Sequence, residues 1–341
     1  FDECGECGGN SYFDEDGFLP GGECDCEGNL DLGCGCGEVR LSVCGTCDMS
    51  CTIYVGSSVE DDFTAIQEAI DASNDSDIII VSEGTYDENI VWPDKNIELI
   101  GAGIDLTVIN GDGTDRVVKF ISDNIDNTSL LKHVTVQNGL GGILIEGVTP
   151  TIDNCKINNN IVRDDVGGGI KIDGLDLEDA VPVIKNSIII NNQSIGNESA
   201  PGAGAGIYIR SANPLMLNNL IAYNQATLGE RPAGGGILCF YASPTIAGNT
   251  IYGNTAYDND STSIAGGIYL MGPSFPQINK TILWNNSDGV LNGESLGSDL
   301  IINSSDFDVT DAELANDINT FVGSELNINE NPLFCDVDNL D

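Results

Sequence analysis

Apolar residues recur along the second half of the chain with a period of about one short coil. Prolines stand at intervals of 32, 32, 30 and 32 residues, at Pro150, Pro182, Pro214, Pro244 and Pro276. An aliphatic or thioether side chain follows each proline two positions later, at Ile152, Ile184, Met216, Ile246 and Ile278. An asparagine follows ten positions later, at Asn160, Asn192, Asn224, Asn254 and Asn286. Five copies that agree at several offsets indicate an internal repeat.

Within each copy, apolar and polar residues alternate over short segments, as in Ile143/Ile145 and Ile170/Ile172. Alternation of this kind is typical of strands that bury one face, and we expect two or three such strands per copy. One copy cannot bury its apolar side alone, whereas copies stacked about 4.8 Å apart place equivalent side chains over one another. The pattern therefore predicts an all-β parallel β-helix.

The other repeated positions also fit stacked coils. The equally spaced asparagines are expected to form a structural ladder of side-chain amides at a turn, and the glycines before the strands to allow sharp corners. Residues 192–206 and 257–267 are interpreted as loops on one flank. A leucine-rich or similar repeat is the alternative, but the leucine spacing and a helical segment in each repeat are missing.

Upstream, apolar segments continue with a looser period, and a helical pattern precedes them at about residues 61–73. Phe63, Ile66 and Ile70 share one face of this helix, which is expected to cover the open end of the solenoid. Asp61 or Asp62 is expected to cap its first turn. We therefore divide the chain into residues 1–51 and a β-helix over residues 52–341, with clear repeats at about 141–290 and a closing segment at 291–341.

Nine of the twelve cysteines lie in the first 51 residues, at Cys4, Cys7, Cys24, Cys26, Cys34, Cys36, Cys44, Cys47 and Cys51. A segment this short and cysteine-dense is typical of a small disulfide-stapled module. Zinc is the rival interpretation, because Cys4/Cys7 and Cys44/Cys47 have C-x-x-C spacing. The C-x-C pairs fit a zinc ribbon poorly, and the disulfide connectivity stays open.

The net charge of the chain limits the classes of partner and the cellular location that we expect. It carries 54 Asp and Glu against 12 Lys and Arg, a formal net charge of −42. This balance disfavours nucleic acid and anionic membrane surfaces. The longest aliphatic run, residues 78–81, is too short for membrane insertion. We expect an extracellular or cell-surface protein.

Acidic loops make calcium the one cofactor that we expect. The candidate ligands are Asp14 and Asp16 in FDEDGF, and Asp336 and Asp338 in DVDNLD. The alternative is that these carboxylates are solvated turn residues, because Asp is common in turns that bind no metal.

The stretch from YVGSSVEDDFTAIQEAIDAS to KNIELIGAG resembles the start of pectin-esterase-like and pectate-lyase-like right-handed β-helix proteins. The matching residues are Phe63, Ile66, Gln67, Ala69, Ile70, Gly84, Tyr86, Glu88, Lys95, Asn96 and Gly101. The resemblance implies a right-handed β-helix over roughly residues 52–290. The N-terminal cysteine-rich segment resembles spacer repeats of large secreted bacterial surface proteins, and NENPLFCDVDNLD resembles the closing strand of β-helix domains.

Pectin esterases use two aspartates and an arginine in motifs resembling Q-D-x-L, D-F-I-F-G and L-G-R-P-W, and none of these motifs is present. A lyase would need calcium-holding carboxylates and a basic side chain on one face. The basic candidates are Lys119, Lys132, Lys156, Arg163, Lys171, Lys185, Arg210 and Lys280. His133, the single histidine, is expected to point to solvent. We predict no catalytic residues and a protein that is not an enzyme.

Two functions stay open at this point. The first is a secreted, non-catalytic structural or adhesive module that associates with itself head to tail, as in a filament or surface layer, or with other surface proteins. The second is a polysaccharide-binding or polysaccharide-lyase-type protein. A stripe of exposed aromatic side chains would favour the second, and the candidates are Tyr208, Tyr223, Tyr241, Tyr252, Tyr257, Tyr269 and Trp284.

Overall fold

The computed structural model describes residues 51–175, 180–197, 202–229, 232–257, 265–287, 291–293, 299–307, 320–323 and 332. The strands within these residues form four sheets, numbered I to IV in the order of their strands within a full coil. All of the strand pairings are parallel, and each strand pairs with the equivalent strands of adjacent coils. The chain is therefore a solenoid of stacked coils, as the repeat predicts.

The strand bounds are as follows. Sheet I contains β1 (Thr52–Val55), β2 (Ile78–Val81), β5 (Glu98–Gly101), β8 (Leu130–Lys132), β11 (Thr151–Asp153), β15 (Val183–Lys185), β19 (Leu215–Leu217), β23 (Thr245–Ala247), β27 (Gln277–Asn279), β30 (Asp299–Asn303) and β32 (Thr320–Gly323). Sheet II contains β3 (Gly84–Asp87), β6 (Thr107–Asn110), β9 (Thr135–Gln137), β12 (Lys156–Asn158), β16 (Ile188–Ile190), β20 (Leu220–Ala222), β24 (Thr250–Tyr252), β28 (Ile282–Trp284) and β31 (Asp306–Phe307). Sheet III contains β13 (Ile161–Arg163), β17 (Gln193–Ile195), β21 (Gln225–Thr227) and β25 (Thr255–Tyr257). Sheet IV contains β4 (Ile90–Trp92), β7 (Val118–Phe120), β10 (Ile143–Glu146), β14 (Ile170–Asp173), β18 (Ile207–Arg210), β22 (Ile237–Phe240), β26 (Ile268–Met271) and β29 (Leu291–Gly293).

A full coil contains four strands, so the prediction of two or three strands per copy is wrong. The strand missed is the one in sheet III, and one of its members, β17, lies inside the segment interpreted as a loop. The inward-facing residues of this sheet in the last three coils are Ser194, Ala226 and Ala256, which stack in register. Because these side chains are small, the sheet leaves almost no aliphatic signal in the sequence.

The interior of the solenoid consists of columns of side chains from equivalent positions. Ile152 stacks on Ile184 and Ile246 on Ile278, and all four are fully buried. The column extends through sheet I as Ile53, Ile79, Leu99, Leu131, Ile152, Ile184, Met216, Ile246, Ile278 and Ile302. Each buried aliphatic side chain contributes about 1.5–3 kcal/mol. The stacked core predicted from the repeat is confirmed.

The predicted helix exists but is shorter than residues 61–73. Helix α1 spans Ile66–Ala72 and buries Ile66, Ala69 and Ile70 at the N-terminal end of the solenoid. Its N-cap residue is Ala65, which provides no side-chain cap. The expected capping by Asp61 or Asp62 is wrong, because the Asp62 carboxylate accepts a hydrogen bond from the Tyr54 amide and the Asp61 carboxylate one from the Ser58 amide.

Both ends of α1 are instead held by residues from the following coil. The Glu88 carboxylate accepts hydrogen bonds from the amides of Ile66 (2.8 Å) and Gln67 (2.9 Å). The Lys95 ammonium donates to three carbonyl oxygens at the C-terminal end, those of Ile70, Asp71 and Ser73. A carboxylate at the N-terminus and an ammonium at the C-terminus both complement the helix dipole. Glu88 and Lys95 are among the residues that carry the family resemblance.

The corners between sheets I and II have left-handed backbone, and asparagine more often than glycine occupies them. Asn154, Asn186 and Asn218 have φ values of 49°, 53° and 54°, and Gly248 continues the series at 70°. Asparagine tolerates this conformation better than most residues, because its short side chain can hydrogen-bond locally. The glycines expected to allow sharp corners lie instead before the strands of sheet IV, where Gly167, Gly204 and Gly234 have φ values of 69°, 54° and 62°.

Candidate functional site

The five asparagines of the predicted ladder lie in one continuous run of hydrogen bonds inside the solenoid. The Nδ2 atom of each donates to the Oδ1 atom of the next, at 2.9–3.0 Å, from Asn160 to Asn286. Each Nδ2 also donates to a main-chain carbonyl of the preceding coil, such as that of Ile189 for Asn224. Every amide is thus hydrogen-bonded and buried, so the ladder holds the coils together and offers nothing to a ligand.

A second buried polar column lies at the corner between sheets I and II, and the repeat analysis missed it. Its members are Cys155, Ser187, Asn219, Asn249, Thr281 and Ser305. Within it, Asn219 Nδ2 donates to Asn249 Oδ1 at 2.9 Å. The position is five residues after each proline, but its residue type varies among Cys, Ser, Asn and Thr. A search for identical residues does not detect such a column, although a search for small polar ones would.

Among the described residues, a group of five charged side chains lies on the outer side of sheet IV. This group, named here the sheet IV cluster, consists of Asp115, Arg116, Lys119, Asp165 and Lys171. Asp165 bridges Arg116, at 3.0 Å, and Lys171, at 2.7 Å. Lys119 pairs with Asp115. The structure thus brings two of the basic candidates together with Asp115 and with two residues that sequence reasoning did not single out, Arg116 and Asp165.

Arg116 connects coils that are not adjacent. Arg116, Gly141 and Gly167 precede β7, β10 and β14, which are consecutive strands of sheet IV. The guanidinium passes against Gly141, where an added Cβ would lie 2.7 Å from the Arg116 Cζ atom. It then donates to the carbonyl oxygens of Gly167 (2.6 Å) and Val166 (2.7 Å) two coils away. Its residue is only 5 % exposed, so Arg116 acts as a clamp across three coils.

Burial and pairing shift the titration of the cluster. Burial lowers the pKa of Arg116, and the charge of Asp165 opposes that shift. For Asp165, burial would raise the pKa, but the hydrogen bonds from Lys171 and the Val166 amide, with the charge of Arg116, bring it below its usual value. The hydrogen bond from Lys119 holds the pKa of Asp115 below its usual value. The carboxylates are therefore ionised and committed to cations at neutral pH.

Beyond the cluster, the outer face of sheet IV becomes apolar. Lys171 is in register with Tyr208, and the same column continues to Leu238 and Tyr269. Leu238 and Tyr269 are buried beneath a stack of alanines from the connections between sheets III and IV, namely Ala203, Ala233 and Ala265. Burial raises the pKa of Tyr208 to about 12. These aromatic side chains are packing residues and not an open platform.

The seven aromatic candidates do not form one stripe. Tyr208 and Tyr269 belong to sheet IV, whereas Tyr252 and Trp284 lie in sheet II with Tyr223 packed against them. The rings of Tyr223 and Tyr252 meet edge to face, with centroids 5.6 Å apart. Tyr241 and Tyr257 are exposed at other positions around the coil, after β22 and at the end of β25. The candidates therefore do not form the exposed stripe that would favour the second function.

The remaining basic candidates are distributed over other faces. Lys132 and Lys185 flank Asp153 on sheet I, at 3.6 and 3.8 Å, and Lys156 lies on sheet II. Arg210 pairs with Asp173 on sheet IV. His133 is half-buried at a left-handed corner, with φ 58°, so the prediction that it points to solvent is only partly right.

Most of the predicted metal and disulfide residues lie outside the described residues. These are Asp14, Asp16, Asp336, Asp338 and the cysteines Cys4, Cys7, Cys24, Cys26, Cys34, Cys36, Cys44 and Cys47. Cys51 is described; it is disulfide-bonded and begins the first coil, where its amide donates to Asp77 Oδ1. In the part of the chain that the structure describes, no group of three or more His, Cys, Asp or Glu side chains could hold a metal ion.

Two further cysteines lie in the described part of the chain. Cys155 and Cys239 are buried free thiols, and burial raises the pKa of each to about 12. A thiol that is protonated and inaccessible is a poor nucleophile.

None of the helical structure in the described ranges has the length and hydropathy of a membrane span.

A comparison with protein-family models identifies the handedness of the solenoid. The family described as "Right handed beta helix region" matches residues 178–331. The fold is a right-handed parallel β-helix. The match covers the later coils, and the same sheets continue without interruption through the earlier coils of this β-helix. A search of curated protein sequences gives no match.

Solved structures with a similar β-helix are carbohydrate-active enzymes at low sequence identity. The pectin methylesterase from Aspergillus niger is 13 % identical, with 82 % of this chain and 90 % of that chain covered and a TM-score of 0.45. An alginate lyase from Paenibacillus sp. is 14 % identical, with 80 % and 98 % covered and a TM-score of 0.43. The carrot pectin methylesterase is 15 % identical, with 80 % and 77 % covered and a TM-score of 0.37. These likenesses concern the fold alone.

Proposed function

We propose that this β-helix is an extracellular, non-catalytic structural and adhesive module. The observation that carries the proposal is that the charged groups on sheet IV bind other groups of the chain. The Arg116 guanidinium donates hydrogen bonds to Asp165 and to the carbonyl oxygens of Val166 and Gly167. A guanidinium that joins three coils and is almost fully buried stabilises the solenoid and is shielded from a substrate.

The lysines of the same face support this proposal. A base that abstracts a proton must reach the substrate with a free amine. Lys171 and Lys119 are instead held against Asp165 and Asp115. Each lysine therefore serves as the counter-ion of a carboxylate in a chain with a formal net charge of −42. Pairing of this kind reduces local repulsion between carboxylates of neighbouring coils.

Challenge with acidic polysaccharides tests the absence of catalysis. The full chain is incubated with pectin and with alginate, and unsaturated products and released methanol are measured beside a lyase and an esterase as positive controls. We expect no product above the buffer control, with calcium or without it. Product release by the wild-type chain that is lost in Lys171→Met or Asp165→Asn would contradict the proposal.

Head-to-tail self-association is a narrower form of the proposal, and the N-terminal end of the solenoid disfavours it. Helix α1 packs on that end and buries Ile66, Ala69 and Ile70, so it blocks continued strand stacking there. We therefore expect the chain to act as a module within a surface layer and not to polymerise through its first coil. Sedimentation at increasing concentration checks this, and filaments that persist when α1 is intact would contradict it.

A further inference from the structure

A cavity of about 260 Å³ lies beside β13, the first strand of sheet III. The lining residues include Arg163, Asn138, Asn159, Gly139, Leu140 and Ile161. The cavity arises because sheet III begins at this coil. The coil below places Gly139 under β13, where the Ile161 amide donates to the Gly139 carbonyl at 3.1 Å, but it contributes no strand of its own to sheet III.

Arg163 differs from the other arginines of the described residues. Arg116 pairs with Asp165 and Arg210 with Asp173, whereas Arg163 has no ion pair with any described residue. The carboxylate next to it in sequence has another partner, because Asp164 accepts a hydrogen bond from Asn197 Nδ2 at 2.6 Å. In so acidic a chain, an exposed guanidinium without a carboxylate partner is available to an anion from outside.

The other lining residues favour a sugar over a bare anion. The Asn138 amide is held in place because its Nδ2 donates to Asn110 Oδ1 at 2.7 Å. Together with Asn159, it brings to the cavity a group type that hydrogen-bonds hydroxyls as both donor and acceptor. Leu140 and Ile161 add apolar surface for the C–H face of a ring. The volume of about 260 Å³ lies just below the usual range of ligand sites and suits a ligand no larger than one pyranose ring.

We propose that this cavity binds the carboxylate of a sugar acid, with Arg163 as the anion-binding residue. The planar fork of a guanidinium matches the two oxygens of a carboxylate. The site lies outside the sheet IV cluster and needs none of its residues. It gives the adhesive part of the proposed function a ligand class, but it stands on the cavity and on Arg163 and not on the absence of catalysis.

The experiment titrates the full chain with sodium glucuronate and follows the arginine Nε–H signals by nuclear magnetic resonance. We expect a saturable shift of the Arg163 signal, and no shift with glucose, which has the same ring but no carboxylate. Arg163→Met removes binding, and Arg163→Lys weakens it by at least about tenfold, because a single ammonium cannot replace the fork. Lys280→Met is the matched control: it removes an exposed, unpaired cation at another corner and leaves binding unchanged.

The proposal is overturned if glucuronate leaves the Arg163 signal unchanged, if Arg163→Met binds as tightly as the wild type, or if inorganic phosphate binds as tightly as glucuronate. The last result would make Arg163 a general anion contact. These outcomes are distinct from failure of the proposed function. Cleavage of pectin or alginate would overturn the non-catalytic role and leave the Arg163 result unaffected.

Discussion

At the scale of single residues, the asparagine ladder shows how a chain with few large hydrophobes can have an ordered interior. Asn224 donates to the Ile189 carbonyl and to Asn254 Oδ1, and it accepts from the amide and the side chain of Asn192. All of these partners are buried, and none can turn to water when a ladder member is lost. A buried polar group left without a partner costs about 1–3 kcal/mol.

Asn224→Ala should therefore lower the free energy of unfolding by about 3 kcal/mol, since several buried partners lose their hydrogen bonds at once. Asn218→Gly, on the same coil, is the control. It replaces an exposed corner residue at φ 54° by the residue type that already occupies the next corner, Gly248, and should change stability by less than about 0.5 kcal/mol. Chemical denaturation of both variants is the measurement. Equal effects would show that the ladder contributes no more than a solvated corner does.

At the scale of elements, helix α1 is defined by the coil that follows it and not by its own cap. Glu88 satisfies two free amides at its N-terminus, and Lys95 satisfies carbonyls at its C-terminus. Glu88 lies 22 residues after Ile66 in the sequence. A prediction from neighbouring residues therefore assigns the cap to Asp61 or Asp62, whose carboxylates accept hydrogen bonds elsewhere.

Glu88→Gln should lower the free energy of unfolding by about 1 kcal/mol, because an amide provides only one acceptor oxygen and no charge for the two amides of the first turn. Glu68→Gln removes the same charge from an exposed position in that turn and should cost less than about 0.5 kcal/mol. Far-ultraviolet circular dichroism during denaturation measures both. A Glu68 variant as unstable as the Glu88 variant would point to helix-dipole charge and not to the cap.

The elements also show how far the sequence determines the fold and the site. The columns through Ile152 and Asn160 are predictable because identical residue types recur at fixed offsets. Sheet III is not, because its inward side chains in the last three coils are Ser194, Ala226 and Ala256, which are too small to stand out. The Arg116 clamp is not predictable either. It depends on the stacking of residues 116, 141 and 167, and their spacing there does not follow the later repeat.

At the scale of the whole molecule, the paired carboxylates of the sheet IV cluster link stability to pH. The pKa values of Asp115 and Asp165 are lower in the folded chain than their usual values. Their contribution is therefore present above the unfolded pKa of about 3.9 and is lost as the pH falls through the folded-state values. Because Asp165 is partly exposed, solvent screening limits its share to at most about 1 kcal/mol.

Unfolding free energies of the wild type and of Asp165→Asn, measured between neutral pH and about pH 3, test this linkage. The difference between the two proteins should be largest at neutral pH and should shrink below about pH 4. Comparison of the two curves cancels most of the effect of the overall negative charge, which also changes over this range. Parallel curves would mean that Asp165 titrates alike in the folded and unfolded chains.

The charged groups on sheet IV fasten the coils together, and Arg116 spans three of them. The most direct measurement is the unfolding free energy of Arg116→Met beside Arg163→Met, a matched removal of an exposed arginine. We expect a loss of about 3 kcal/mol for Arg116→Met, since one buried and one part-buried carbonyl and part of an ion pair lose their partner, and almost none for Arg163→Met. Equal stability of the two variants would contradict it.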